Sequence, residues 1–145
     1  MEQRSIIVCG LTAAASLAAL LVVRRRGADV ARVQTLNKLA LPDNKGHLRP
    51  VAVADAAEIL ALVDANREHL AEWLPWVKYV NAVADERWFL GTCVAGKAAG
   101  ETAVFAIVAA ATSASPEAIV GLVGYNAIDT SRRMVYIGYW LASEA

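Results

Sequence analysis

Three observations predict an α/β (α+β) fold, with a mixed, mostly antiparallel sheet flanked by helices and preceded by a single apolar helix. An uncharged run of 19 residues, Ser5 to Val23, lies between Arg4 and the triplet Arg24, Arg25 and Arg26. Between Asp55 and Gly100 apolar residues recur at helical spacing. After Gly100 the period changes to short β-prone runs separated by turn clusters.

Composition sets the frame for these elements. The 145 residues are 57% apolar and 19% charged, which argues against a disordered chain. Thirty of the apolar residues are Ala, so the fraction overstates the volume available to a core. The 14 basic and 14 acidic groups cancel, which argues against a nucleic-acid module driven by bulk electrostatics. That zero joins unlike halves: residues 1–46 carry seven basic and three acidic groups (+4), residues 47–145 seven and eleven (−4). Two cysteines, Cys9 and Cys93, are too few for a disulfide framework or a metal site.

Residues 5–23, as a helix rising about 1.5 Å per residue, would span roughly the hydrocarbon thickness of a bilayer. Nine of them are Ile, Leu or Val, while Gly10, Thr12, Ser16 and five Ala weaken the insertion signal. Arg24–Arg26 follow the run rather than precede it, unlike a cleaved signal peptide, and would hold the following chain on the cytoplasmic side. Residues 1–26 are therefore expected to be a membrane anchor with a basic flank. A mitochondrial targeting segment and a buried extension are the alternatives. Residues 27–46 read as a linker or juxtamembrane helix, because Val30, Val33, Leu36 and Leu39 allow a short amphipathic turn. Pro42-Asp43-Asn44-Lys45-Gly46 then marks a loop.

The third unit, residues 47–145, opens with a strand at His47–Val53, Pro50 placing it at an edge or a bend. Asp55 followed by Glu58 predicts a capping-box-like helix start. Ile59, Leu62, Val63, Leu70, Trp73 and Leu74 give that helical element a buried stripe, broken near Asn66 and again at Pro75. A further helix runs from about Asp85 through Trp88, Phe89 and Cys93 to Gly96 and Gly100. Strands follow at 103–110, 119–128 and 134–142, joined by short turns as an antiparallel meander. Both faces of the last strand are apolar, so it expects cover on both sides.

Few single residues point to chemistry. His69 is a candidate general base near neutral pH, against a surface or hydrogen-bonded histidine. Asp64, Glu68 and Glu72 form an acidic helix face that would attract an amine or simply meet solvent. Cys93 reads as packing. Gly121 and Gly124 inside a strand mark a bulge or close backbone contact. No phosphate-binding glycine loop, nucleophile triad or metal-ligand spacing is present.

Four stretches carry a family resemblance: L-R-P at 48–50, N-R-E-H-L-A-E-W-L-P-W-V at 66–77, I-V-G-L-V-G at 119–124 and I-G-Y-W-L-A at 137–142. From Leu48 onward the chain resembles the GNAT superfamily of acetyl-CoA-dependent N-acetyltransferases. The specific likeness is to the branch that acetylates N-terminal amines of ribosomal proteins. The resemblance implies acetyl-CoA as co-substrate, no metal, and an amine acceptor such as a protein N-terminus. In that family the fourth strand pairs its backbone with the pantetheine arm and offers N–H groups to the oxyanion, which places Tyr139, Trp140 and Leu141 at the cofactor. Trp73 and Trp76 of the W-L-P-W stretch look like the aromatic wall of the acceptor site, with core packing as the alternative.

Two departures follow from the same comparison. Tyr136 stands where related sequences commonly carry a Glu, the candidate base, and a phenol of pKa about 10 is a poor base at neutral pH. The catalytic base is therefore unassigned. The chain also reaches Ser143-Glu144-Ala145 where the family's pyrophosphate-binding loop would begin. The resemblance thus implies the N-terminal half of a GNAT fold, from either a natural truncation or an incomplete gene model, that binds acetyl-CoA weakly or not at all on its own. A non-catalytic remnant or membrane-tethered interaction module, whose last strand pairs with a partner that completes the sheet, is the competing expectation.

Overall fold

The computed structural model describes residues 34–143. The apolar run at 5–23 and its arginine flank lie outside the described residues. Among the described residues no helix is long and apolar enough to cross a membrane.

Chain order gives strands β1 (Leu39–Ala40) and β2 (Gly46–Pro50), helices α1 (Ala56–Ala65), α2 (Arg67–Ala71) and α3 (Val83–Ala99), then β3 (Ala103–Ala109), β4 (Ala118–Asp129) and β5 (Met134–Leu141). The sheet runs β1-β2-β3-β4-β5, every neighbouring pair antiparallel. The predicted meander of the last three strands is present, and the described sheet is wholly antiparallel rather than mixed.

The stretch read as a linker or short helix ends instead in a strand. Leu39 and Ala40 pair with Leu48 and His47. The intervening turn takes left-handed backbone at Asp43 (φ 58°) and Asn44 (φ 55°) and reaches φ 150° at Gly46. A Cβ at Gly46 would lie 2.0 Å from the Val108 carbonyl oxygen, so only glycine lets β2 approach β3 here. β1 also corrects the placing of Pro50, because β2 is an inner strand. Val51 donates its N–H to the Val104 carbonyl. The alternation of an antiparallel ladder therefore turns the Pro50 nitrogen away from β3, and β1 stops short of it, so no ladder bond is lost.

The L-R-P stretch ties this strand to the first helix. Arg49 forks Asp55 at 2.8 and 2.9 Å, and Asp55 reaches back to the Ala52 N–H at 2.8 Å. Burial alone would raise the Asp55 pKa, but the Arg49 fork and the Ala52 amide outweigh it and hold the carboxyl below its ordinary value. Glu58 does not cap the helix as expected. It accepts the Ile119 N–H at 2.8 Å and so pins α1 to β4.

α1 and α3 pack on each other and on one face of the sheet, over β4 and β3 respectively. Ile59, Val63, Leu70, Val77 and Leu90 are the buried centre, each contributing roughly 1.5–3 kcal/mol by leaving water. Trp73, expected in the stripe, is 54% exposed, because α2 ends at Ala71 and the chain turns before Pro75. β5 likewise departs from expectation. Val135, Tyr136, Ile137 and Tyr139 are exposed, and only Trp140 packs against the core.

Candidate active site

Two side chains of the N-R-E-H stretch shape the site. Asn66 breaks the helix, donates to the Leu62 carbonyl at 2.9 Å, and accepts both the N–H and the hydroxyl of Ser143 just past β5. Arg67 donates to the carbonyls of Val77 (2.6 Å) and Val80 (2.8 Å) and to Asp64. Its fork clamps the 3-10 turn Pro75–Tyr79, which carries Trp76. Trp76 meets Trp140 of β5 with ring centroids 6.2 Å apart and planes tilted by 53°.

Between this turn, the first turns of α3, and β4–β5 lies a cavity of about 740 Å³. Its aromatic walls are Trp76, Tyr79, Trp88, Phe89, Tyr139 and Trp140. Gly124 and Gly138 face each other across β4 and β5, so the floor carries no side chain there. A Cβ at Gly124 would lie 2.6 Å from the Ala103 carbonyl oxygen and 2.7 Å from the Val104 Cα, which is why this strand position takes glycine. Asn126 is the extra residue of a β4 bulge opposite β5, and its side chain lies over Gly138.

Among the described residues two acids line the cavity, Asp85 and Glu86, and no Lys, Arg or His does. Asp85 is committed to the helix start, accepting the N–H groups of Asn81 (3.0 Å) and Ala82 (2.9 Å). Glu86 is only 2% exposed, and its Oε2 has no hydrogen-bond partner among the described residues. Burial, with a smaller push from the Asp85 charge, raises the Glu86 pKa above that of an ordinary glutamate.

The strand β5 pairs with β4 alone among the described residues. Ala142 donates to the Val120 carbonyl, which fixes the alternation. Gly138 and Trp140 direct their backbone groups to β4, and Ile137, Tyr139 and Leu141 direct theirs to the open edge.

The geometry sorts the residues singled out in the sequence. Trp76, Tyr139 and Trp140 line the cavity; Trp73 does not, and neither does Tyr136, which is 45% exposed. Leu141 joins through its outward backbone rather than as a wall. His69 is exposed on α2, away from the lining. The helix break at Asn66 interrupts the expected acidic face, and Asp64 pairs with Arg67. Cys93 is buried, and that burial pushes its thiol up to about 11, which fits packing rather than chemistry. Among the described residues no His, Cys, Asp and Glu cluster could hold a metal ion.

Glu86 had a sequence signal that composition hid. It stands four residues before Leu90 and seven before Cys93, on the buried stripe of α3 where helical periodicity calls for an apolar side chain. Tyr79 and Asn126 carried no such signal.

The sheet is thus backed by helices and carries an acidic, aromatic cavity beside the open edge of its last described strand. The chain belongs to the acetyltransferase (GNAT) domain family, whose pattern matches residues 47–145. Among solved structures, the microcin C7 self-immunity acetyltransferase MccE, in complex with acetyl-CoA and AMP, is similar with a TM-score of 0.62 at 23% identity. That match covers 72% of this chain and 58% of that one. RimL, the ribosomal L7/L12 α-N-protein acetyltransferase in complex with coenzyme A, gives 0.64 at 22%, covering 72% and 56%. The Salmonella typhimurium acetyltransferase that modifies the N-terminal serine of ribosomal protein L7/L12 gives 0.58 at 19%, covering 72% and 56%. This chain thus spans a little over half the length of each. Among curated proteins nothing matches it.

Proposed function

We propose that the domain transfers an acetyl group from acetyl-CoA to a primary amine, such as a protein N-terminus. The observation that carries this reading is the cavity of about 740 Å³ beside the outward backbone of Tyr139 and Leu141. Those two N–H groups have no strand partner among the described residues and can pair with the pantetheine arm and meet the oxyanion that develops on the thioester carbonyl. Trp76, with Trp140 behind it, forms the wall against which the acceptor is held, so that amine and thioester meet in reacting geometry. Acetyl-CoA supplies the activated acyl group. The amine nitrogen forms the new C–N bond as the C–S bond breaks.

The test is transfer of isotopically labelled acetyl from acetyl-CoA to a short peptide with a free α-amine, at millimolar acetyl-CoA. Label on the α-nitrogen is expected, with none on an Nα-blocked peptide. Label on neither, from protein that retains its folded spectrum, would overturn the reading.

The exposed row Val135, Tyr136, Ile137 and Tyr139 on an open edge supports a second reading, a module that pairs this strand with a partner. A stable stoichiometric partner captured through residues 119–145, with no acetylation by the complex, would favour it. For the remainder of the chain we propose residues 1–26 as an anchor in a lipid bilayer through 5–23, with the stretch from 27 up to β1 as a connector. The domain 47–145 would then lie on the cytoplasmic side, with a mitochondrial location as the alternative. Deleting residues 1–26 should release the protein from carbonate-washed membranes. A full chain never retained by such membranes would end the anchor proposal.

A further inference from the structure

We propose that Glu86 is the group that receives the acceptor's ammonium and takes its proton, the role left without a residue at Tyr136. The inference rests on the acetyl-transfer reading and names the chemistry of its acceptor: a small cationic primary amine. A carboxylate with an unpaired oxygen and 2% exposure is costly to hold, and a cation entering the cavity is what would satisfy it. Among the described residues no Lys, Arg or His lines the cavity to do so. Asp85, the other acid, is half-buried and spends its Oδ2 on two backbone N–H groups at the helix start, whereas Glu86 is buried with an unpaired oxygen, so Glu86 is the carboxylate with most to gain from a cation. The aromatic side chains of Trp76 and Trp88 in the cavity lining favour the same ligand charge.

The chemistry balances. The Glu86 carboxylate takes a proton from R–NH3⁺, giving Glu86 carboxylic acid and R–NH2. The amine lone pair forms a C–N bond to the thioester carbonyl carbon, the C–S bond breaks, and the sulfur leaves with that electron pair. The proton shed by the new amide nitrogen goes to the thiolate, and Glu86 returns its own proton to solvent. Among the described residues, Asp85 and Cys93 on its own helix interact with Glu86, and Tyr79 and Tyr139 share the cavity lining with it. Burial, and after it the Asp85 charge, oppose ionisation of Glu86, moving a base toward the pH at which proton transfer is efficient.

The test titrates the full chain with Ser-Ala-Ala-Ala-amide and with its Nα-acetylated twin, first without acetyl-CoA. The free amine should bind roughly tenfold or more tighter than the twin, a preference that E86Q removes and E86D keeps in part, as a charged contact of this kind implies. In single-turnover transfer, E86Q should lose the acid limb of the pH–rate profile as well as rate. A wild-type chain without amine preference, or an E86Q variant that keeps both preference and limb, overturns the proposal. Failure of acetyl-CoA to perturb Tyr139 and Leu141 would instead count against the acetyl-transfer reading, while the amine titration still decides the role of Glu86.

Discussion

Replacing Arg67 by Ala should unlatch the wall of the cavity. The guanidinium donates to two backbone carbonyls, Val77 at 2.6 Å and Val80 at 2.8 Å, and Val77 itself is a fully buried anchor of the core. Hydrogen bonds from a charged donor contribute roughly 1.5–3 kcal/mol each, and two sharing one partly exposed side chain should sum to about 2–4 kcal/mol. The Asp64 contact adds little, because that carboxylate is 54% exposed and such pairs contribute about 0–1 kcal/mol. Urea unfolding of the full chain measures the loss, and tryptophan emission reports Trp76 leaving Trp140. R67K should recover less than half, since an ammonium is a point donor and cannot fork two carbonyls. A loss below about 0.5 kcal/mol, the ordinary range of a surface substitution, with unchanged emission, would refute the clamp.

Three further outcomes follow from the same geometry. G124A pushes a methyl into the Ala103 carbonyl and the Val104 Cα, and should cost about 1–3 kcal/mol in urea unfolding, with a smaller cavity. E86Q should be more stable than wild type at neutral pH: the raised Glu86 pKa means its contribution is full below the ordinary glutamate value and is lost as pH rises through the raised one. The melting-temperature difference should close on acidification, and a pH-independent difference would contradict the assignment. D55N should show the opposite slope, since the lowered Asp55 pKa gives stability present above the ordinary aspartate value and lost as pH falls through the lowered one. The gap between wild type and D55N, followed by thermal melts, should shrink as acid protonates Asp55.

Where the sequence reported local physics it was legible. The break at Asn66, the stop at Gly100 and the β-prone runs between turn clusters that form the meander all rest on short-range signals that tertiary packing did not override. What escaped were features decided by distant partners. Leu39 and Ala40 carry no strand signal of their own and become β1 because the Gly46 turn returns the chain onto Leu48 and His47. Glu58 sits at a helix start and would cap it, yet the nearby Ile119 N–H takes its carboxylate. Trp73 and Trp76 are three residues apart in one motif, and the turn after α2 sends one to solvent and the other to the cavity. For the site, the aromatic wall and the last strand were readable through family resemblance. The acid was readable only as a misplaced charge on the α3 stripe, a signal that needs the helix phase before it stands out.

The central claim is that the open edge of β5 meets the acyl donor beside this cavity. Amide resonances of Tyr139 and Leu141, followed while millimolar acetyl-CoA is added to the full chain, test it most directly, because shifts report contact even when binding is weak. Saturable shifts are expected at Ile137, Tyr139 and Leu141, with the Gly138 and Trp140 amides, which face β4, moving less. Shifts confined to other strands, or none at all, would contradict it.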